Sequence, residues 1–189
     1  MRLLLPTAIA AVTLFFLPFV LPVLSAAQFV AYEQRLHMAP PKEEVGHVGP
    51  LPQYYGDQFG WPELVAEVAR DYDALPAAER AKTGIFANNY GEAGAINFLA
   101  PKYGLPKAYS AHQGHWLWGP PPAPVGTKGT NLIVLQDTPE SLGRWCDGVE
   151  VLSEHHDKWG MGEENGPILL CRGLKVNLQD HWAGLKHWN

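Results

Sequence analysis

The sequence predicts an α/β fold: an N-terminal transmembrane helix followed by a small, mostly parallel three-layer α/β domain. Three observations carry this expectation. Residues 3–32 contain no charged side chain, and a bilayer core takes about 20 apolar residues in helical form. Beyond them, short apolar runs at 84–87, 131–135 and 167–172 alternate with segments of helical spacing, the pattern of a parallel sheet covered by helices. The part left after residue 32 is of ordinary single-domain size and can bury a real core.

Residues 1–32 are expected to be a membrane anchor. Pro6, Pro18 and Pro22 would kink the span, which a membrane helix tolerates where neighbours satisfy the freed carbonyls. The competing reading is a signal peptide with Arg2 at its start and Ser25-Ala26-Ala27 as the cleavage site. A signal core runs about 7–15 residues, and this one is longer, so the anchor is preferred. Either way the remaining chain faces away from the cytoplasm. The localisation expected is the bacterial inner membrane, single-pass, with the α/β domain in the periplasm or outside the cell.

Residues 33–53 read as a linker, because Pro40, Pro41, Pro50 and Pro52 discourage regular structure. The α/β domain then occupies 54–189. Pro62 suits a first helical turn, and Leu64, Val65, Val68 and Tyr72 recur at helical spacing. A short turn of helix is expected at 76–80. The run 84–87 is a buried strand leading through Asn88-Asn89-Tyr90-Gly91 into a helix over 92–99, ended by Pro101 and Gly104. A strand at 108–111, the clearest strand at 131–135, a helix over 139–152, a strand at 167–172 and a closing helix over 178–188 complete the order.

The net charge is −5 and no run of Lys and Arg exists, so a nucleic-acid partner is excluded on electrostatic grounds. Cys146 and Cys171 fit no zinc spacing. A disulfide is open to them, but Cys171 sits in the apolar run Ile168-Leu169-Leu170, where a buried thiol is equally natural. No G-x-S-x-G elbow and no thiol beside a histidine occurs. No catalytic residue, metal site or cofactor is expected in this chain.

Ligands of open α/β sheets bind beyond the carboxyl ends of the strands, and two segments are expected there. The first is Asn88, Asn89, Tyr90 and Glu92. It has the placement of a nucleotide loop but not the glycine motif, and Glu92 disfavours a phosphate while suiting the positive end of a helix. The second is His112, Gln113, His115, Trp116 and Trp118, where indoles beside polar groups suit a sugar or a lipid headgroup. Packing in the core or against a membrane interface is the alternative for these tryptophans. His112 and His115, with His155-His156-Asp157 further on, lack a third ligand at fixed spacing. Glu163-Glu164 falls in a Gly-rich loop and reads as solvated surface.

The stretch from Phe86 to Trp118 resembles a known family. The matching pieces are Leu51-Pro52-Gln53-Tyr54, Asp57-Gln58-Phe59-Gly60-Trp61, Ala87-Asn88-Asn89-Tyr90-Gly91-Glu92-Ala93-Gly94-Ala95-Ile96 and Tyr103-Gly104-Leu105-Pro106. Trp116-Leu117-Trp118-Gly119, Cys171-Arg172-Gly173 and Leu185-Lys186-His187-Trp188 follow in order. Together they resemble the C-terminal extracytoplasmic domain of bacterial membrane glycosyltransferases of the dolichyl-phosphate-mannose–protein mannosyltransferase type, and residues 1–32 look like the last membrane helix of such an enzyme. Ser110-Ala111-His112-Gln113 departs from the Ser-Gly-His-Asn of that pattern. The resemblance implies a polyprenyl-phosphate-sugar donor, a glycan acceptor and the rest of a polytopic glycosyltransferase as partners, with a membrane. It carries over no catalytic residue, because the acidic motif of those enzymes lies far upstream. The chain is expected to be a fragment, a split subunit or a free-standing relative. In the last case it would be an envelope binding module without catalysis.

Overall fold

A computed structural model describes residues 3–38 and 49–188 of the chain. The N-terminal apolar run forms two helices rather than one. Helix α1 covers Leu4–Val20 and α2 covers Ala26–Arg35. Leu21 is extended, Pro22 follows, and Ser25 opens α2 with a capping box closed by Gln28, a device that satisfies the first free amides of a new helix. The chain folds back on itself here. The Tyr32 hydroxyl donates to the Phe15 carbonyl at 2.6 Å, and Phe19 meets Phe29 edge to face at 5.5 Å. Among the described residues no helix is long and apolar enough to cross a membrane. That overturns the anchor expected over 1–32 and, with it, the single-pass inner-membrane localisation. Absence of charge was read as continuity of helix, whereas the turn at 21–25 and the cap at Ser25 divide it.

Residues 39–48 of the expected linker, and Arg2, lie outside the described residues. Where description resumes, Leu51 is buried against Phe29 and Tyr55, and the short helix α3 spans Gln53–Gly56. Helix α4 (Trp61–Ala74) begins with Pro62 in its first turn and is capped by Gly60 in the left-handed region. Helix α5 (Ala77–Arg80) leads into strand β1 (Thr83–Ala87), and helix α6 runs Tyr90–Tyr103. Asn89 caps α6, which continues through Pro101 and stops at left-handed Gly104. Strand β2 is only Ala108–Tyr109, followed by a 3-10 turn at Gln113–Trp118. Strand β3 (Asn131–Leu135), helix α7 (Pro139–Leu142), strand β4 (Cys146–His155), a 3-10 turn at Gly162–Glu164, strand β5 (Gly166–Leu174) and helix α8 (Leu178–Leu185) complete the chain.

The five strands lie in the order β2-β1-β3-β5-β4. Strands β2, β1 and β3 are mutually parallel, while β5 runs antiparallel to β3 and β4 antiparallel to β5. The sheet is therefore mixed, which corrects the expectation of a mostly parallel one. The cause lies in 139–152. Expected as helix, this segment gives only the short α7 before Gly143; Gly148 then weakens a helix while Val149 and Val151 favour an extended edge strand. Without a crossover helix, β4 and β5 pair as antiparallel neighbours. Asp147, Glu150 and Glu154 stand exposed along β4 and blunt the open edge.

Alternation along the strands divides the core between two faces. Ile85, Ile133 and Leu170 pack with Leu64, Val68 and Ile96 of α4 and α6. Phe86, Val134 and Leu169 face Leu142, Leu178 and Trp182 instead. Each fully buried side chain of this kind is worth about 1.5–3 kcal/mol. Cys146 and Cys171 form a disulfide across β4 and β5, so the thiol reading of Cys171 is set aside.

Candidate functional site

The antiparallel pair decides what gathers at one end of the sheet. Parallel β1 and β3 terminate there at Ala87 and Leu135. Because β4 and β5 are antiparallel, β4 ends and β5 begins at that same end, where His155 pairs with Gly166. The loop between them, 156–165, is thus carried to the carboxyl ends of the parallel strands, where α/β sheets hold ligands. A cavity of about 420 Å³ opens there.

Its apolar floor is Leu64, Leu135 and Ile168. Gln136, Thr138, Ser141 and Asn165 supply polar groups, and Glu92, Asp137, Glu163 and Glu164 supply carboxyls. Among the described residues no Lys or Arg lines it. The backbone around it is tied down. Asn88 donates from Nδ2 to the Gln136 carbonyl at 2.7 Å, and Gln136, with φ of 53°, donates from Nε2 to the Glu163 carbonyl at 2.7 Å. On the far side, Asn165 accepts from the Asp157 amide at 2.6 Å, and the Asp157 carboxylate accepts from the amides of Trp159 and Gly160, each at 2.7 Å.

Glu92 stands in the first turn of α6, is only 1% exposed, and among the described residues has no hydrogen-bond partner on Oε2. Burial pushes its carboxyl up to about 8, although a hydrogen bond from the Asn89 backbone amide works in the opposite direction. A helix N-terminus favours a carboxylate by at most about 2 kcal/mol, and here desolvation outweighs it. Glu164 is pushed up to about 9, first by burial and then by Asp57, Glu92, Glu163 and Asp157 around it. At neutral pH both carboxyls keep their protons and act as donors as well as acceptors. His155, on the cavity wall, is buried and donates from Nδ1 to Glu67 Oε2 at 2.7 Å. That bond fixes its ring and leaves Nε2 on the other side.

The residues singled out from sequence separate into three groups. Glu92 faces the cavity, and Asn88 and Asn89 shape its rim, Asn89 by accepting from the Gly91 amide at 2.5 Å. Tyr90 and His112 form a neighbouring cluster. The Tyr90 amide donates to His112 Nδ1 at 3.4 Å, and the His112 ring stacks on His187 with centroids 4.8 Å apart. The Gln113 amide donates to the His187 carbonyl at 2.9 Å. His187 in turn donates from Nε2 to the Asn88 carbonyl at 2.9 Å, so this cluster braces the rim of the cavity from outside. His115, Trp116 and Trp118 lie apart on the 3-10 turn. Trp116 and Trp182 exchange indole hydrogen bonds with each other's carbonyls at 2.9 and 3.0 Å, so Trp116 is a packing residue. His115 lies against Trp118, with ring centroids 4.2 Å apart.

Glu163-Glu164 is not solvated surface: both residues line the cavity. Glu67 and Gln136 carry no local motif and the sequence does not single them out, while His155 enters there only beside a weak metal pattern and His187 only in the family resemblance. Among the described residues no group of three His, Cys, Asp or Glu side chains is arranged to hold a metal ion.

Comparison with known proteins gives no relative. No protein-family model matches the chain, and no curated protein or solved structure matches it.

Proposed function

We propose that this chain is the accessory recognition domain of a glycosyltransferase that uses a polyprenyl-phosphate sugar, and that the cavity holds an uncharged, hydroxyl-rich sugar unit of the acceptor. The observation that carries the reading is Glu92: a carboxyl buried to 1% exposure, with Oε2 unpartnered among the described residues, lining a cavity that sets a few polar groups on an apolar floor. A buried polar atom without a partner costs about 1–3 kcal/mol, and a ligand hydroxyl would recover that. The protonated state of Glu92 and Glu164 adds support, because such a cavity offers donors and acceptors without net charge on the two carboxyls. A polyol matches that mixture, whereas a phosphate or carboxylate meets Asp137 and Glu163 with no compensating cation. Nothing in the arrangement requires bond cleavage, and recognition alone accounts for it.

The test is chemical-shift mapping of the intact, isotope-labelled chain with neutral oligosaccharides and with their uronic-acid counterparts. The reading expects shifts confined to Glu92, Gln136, His155, Glu164 and Asn165 with the neutral sugars, and weaker ones with the acidic sugars. Shifts elsewhere, or a preference for the acidic sugars, would reject it.

A further inference from the structure

The opposite character appears at the β2 edge of the sheet. Between Glu92 and Asp137 the sequence contains no Asp or Glu, yet it holds Lys102, Lys107 and Lys128. The segment 181–188 likewise carries Lys186 and no acid. The chain's net charge of −5 is therefore unevenly spread.

Three of these lysines rest on aromatic rings. Lys107 Nζ lies 5.3 Å from the centre of the Tyr109 ring and 5.8 Å from that of Trp118. Lys186 Nζ lies 4.6 Å from Trp116 and 4.8 Å from Trp188. Lys102 Nζ lies 5.0 Å from Tyr103. None of the three is in an ion pair with a carboxylate among the described residues. Tyr109 and Trp116 pack partly against the core, while three side chains of this face protrude: Trp118 is 65% exposed, Leu117 74% and Trp188 62%. Trp118 also forms one wall of a shallow groove with Ala100, Pro101 and Leu105.

Indoles and a leucine protruding among cations match one surface chemistry closely. Trp is favoured at the boundary between headgroups and acyl chains, and lysines near an anionic leaflet gain from its negative potential. Lys102, Lys107 and Lys186 are exposed, and their ammonium groups rest over ring faces at the surface. We infer that the face built by the Gln113–Trp118 turn, Lys102, Lys107 and Lys186–Trp188 docks on the surface of a bilayer containing anionic lipid, inserting Leu117 and Trp118 at the headgroup level. The contact is peripheral, requires no crossing, and uses none of the residues that line the cavity.

The test uses the full chain and two vesicle preparations, phosphatidylcholine alone and phosphatidylcholine mixed with phosphatidylglycerol, with binding read by co-sedimentation. The apolar α1 is present in every variant, so its contribution cancels in the ratio between the two vesicles. The wild type should favour the mixed vesicles, and each of Lys102→Gln, Lys107→Gln and Lys186→Gln should lower that preference by about fivefold. Raising the salt concentration should abolish the preference. Leu117→Ser with Trp118→Ser should weaken binding to the mixed vesicles with an unchanged near-ultraviolet circular dichroism spectrum. Equal partition of the wild type between the two vesicles overturns the inference. So does a triple lysine variant that keeps the preference. Lysine-dependent binding to a soluble anionic polysaccharide, without preference for anionic vesicles, also overturns it and assigns the face to a glycan.

Discussion

Glu92 and Glu164 line one cavity from two different elements, Glu92 from the first turn of α6 and Glu164 from the turn before β5. The Glu92 charge is one of those that hold the Glu164 carboxyl high, after burial and Asp57. Two raised acids in one cavity leave a mark on the whole protein, because the unfolded chain returns both to the ordinary carboxylate value of 4.5.

That mark is a pH dependence of stability. Between about pH 5 and pH 8–9 the folded state keeps protons that the unfolded state has lost, so stability falls as pH rises through this window. Below pH 4.5 both states are protonated and this contribution is fully present. Urea unfolding at a series of pH values should show the fall. Glu92→Gln and Glu164→Gln should each flatten it, and a profile unchanged in both variants would contradict the assignment.

Replacing His155 by Ala removes the hydrogen bond to Glu67 and opens a void in the cavity wall. The expected cost is about 1–3 kcal/mol in unfolding free energy. The change should also weaken any ligand held in the cavity, as read by the same shift mapping.

Gly60 caps α4 at φ of 85°, and a Cβ there would lie 3.2 Å from Asp157 Cβ and 3.4 Å from His155 Nε2. Gly60→Ala should cost about 1–2 kcal/mol for the left-handed backbone alone. Because the crowded neighbours belong to the cavity wall and its loop, the resonances of His155 and Asp157 should move more than those of the rest of α4.

The Cys146–Cys171 bridge closes a sequence separation of 25 residues. A loop of this order is worth about 2–4 kcal/mol. Reduction, or Cys146→Ser with Cys171→Ser, should lower the urea midpoint accordingly, and an unchanged midpoint would show that the bridge adds nothing.

Much of the α/β half was legible. The runs at 84–87, 131–135 and 167–172 are strands because buried strands of a covered sheet are nearly continuous apolar residues, and Pro62 and Gly104 bound helices as their backbone preferences require. Two features were not legible. The turn at 21–25 is set by a capping box and by aromatic contacts of Phe15 and Phe19 with Tyr32, which hydropathy alone does not reveal. The direction of β5 is set by its pairing with β3 and β4, a tertiary fact. A parallel β5 would have put Glu164 at the opposite end of the sheet from Glu92, so the site could not be read without that direction. The placement of Glu92 and the Asn pair at the carboxyl end of β1 was legible because strand–turn–helix placement is local. The pairing of His155 with Glu67, across 88 positions, left no local signal.

The most direct measurement is calorimetric titration of the intact chain with a neutral oligosaccharide at pH 7, comparing wild type, Glu92→Gln and Glu92→Ala. An amide keeps a donor and an acceptor where the protonated carboxyl had them, so Glu92→Gln should bind within a few-fold of wild type. Glu92→Ala should bind about tenfold more weakly, the worth of one buried hydrogen bond of ~1.4 kcal/mol. Equal affinity in all three proteins, or saturating sugar that releases no heat and shifts no resonance of the cavity, would contradict recognition through Glu92.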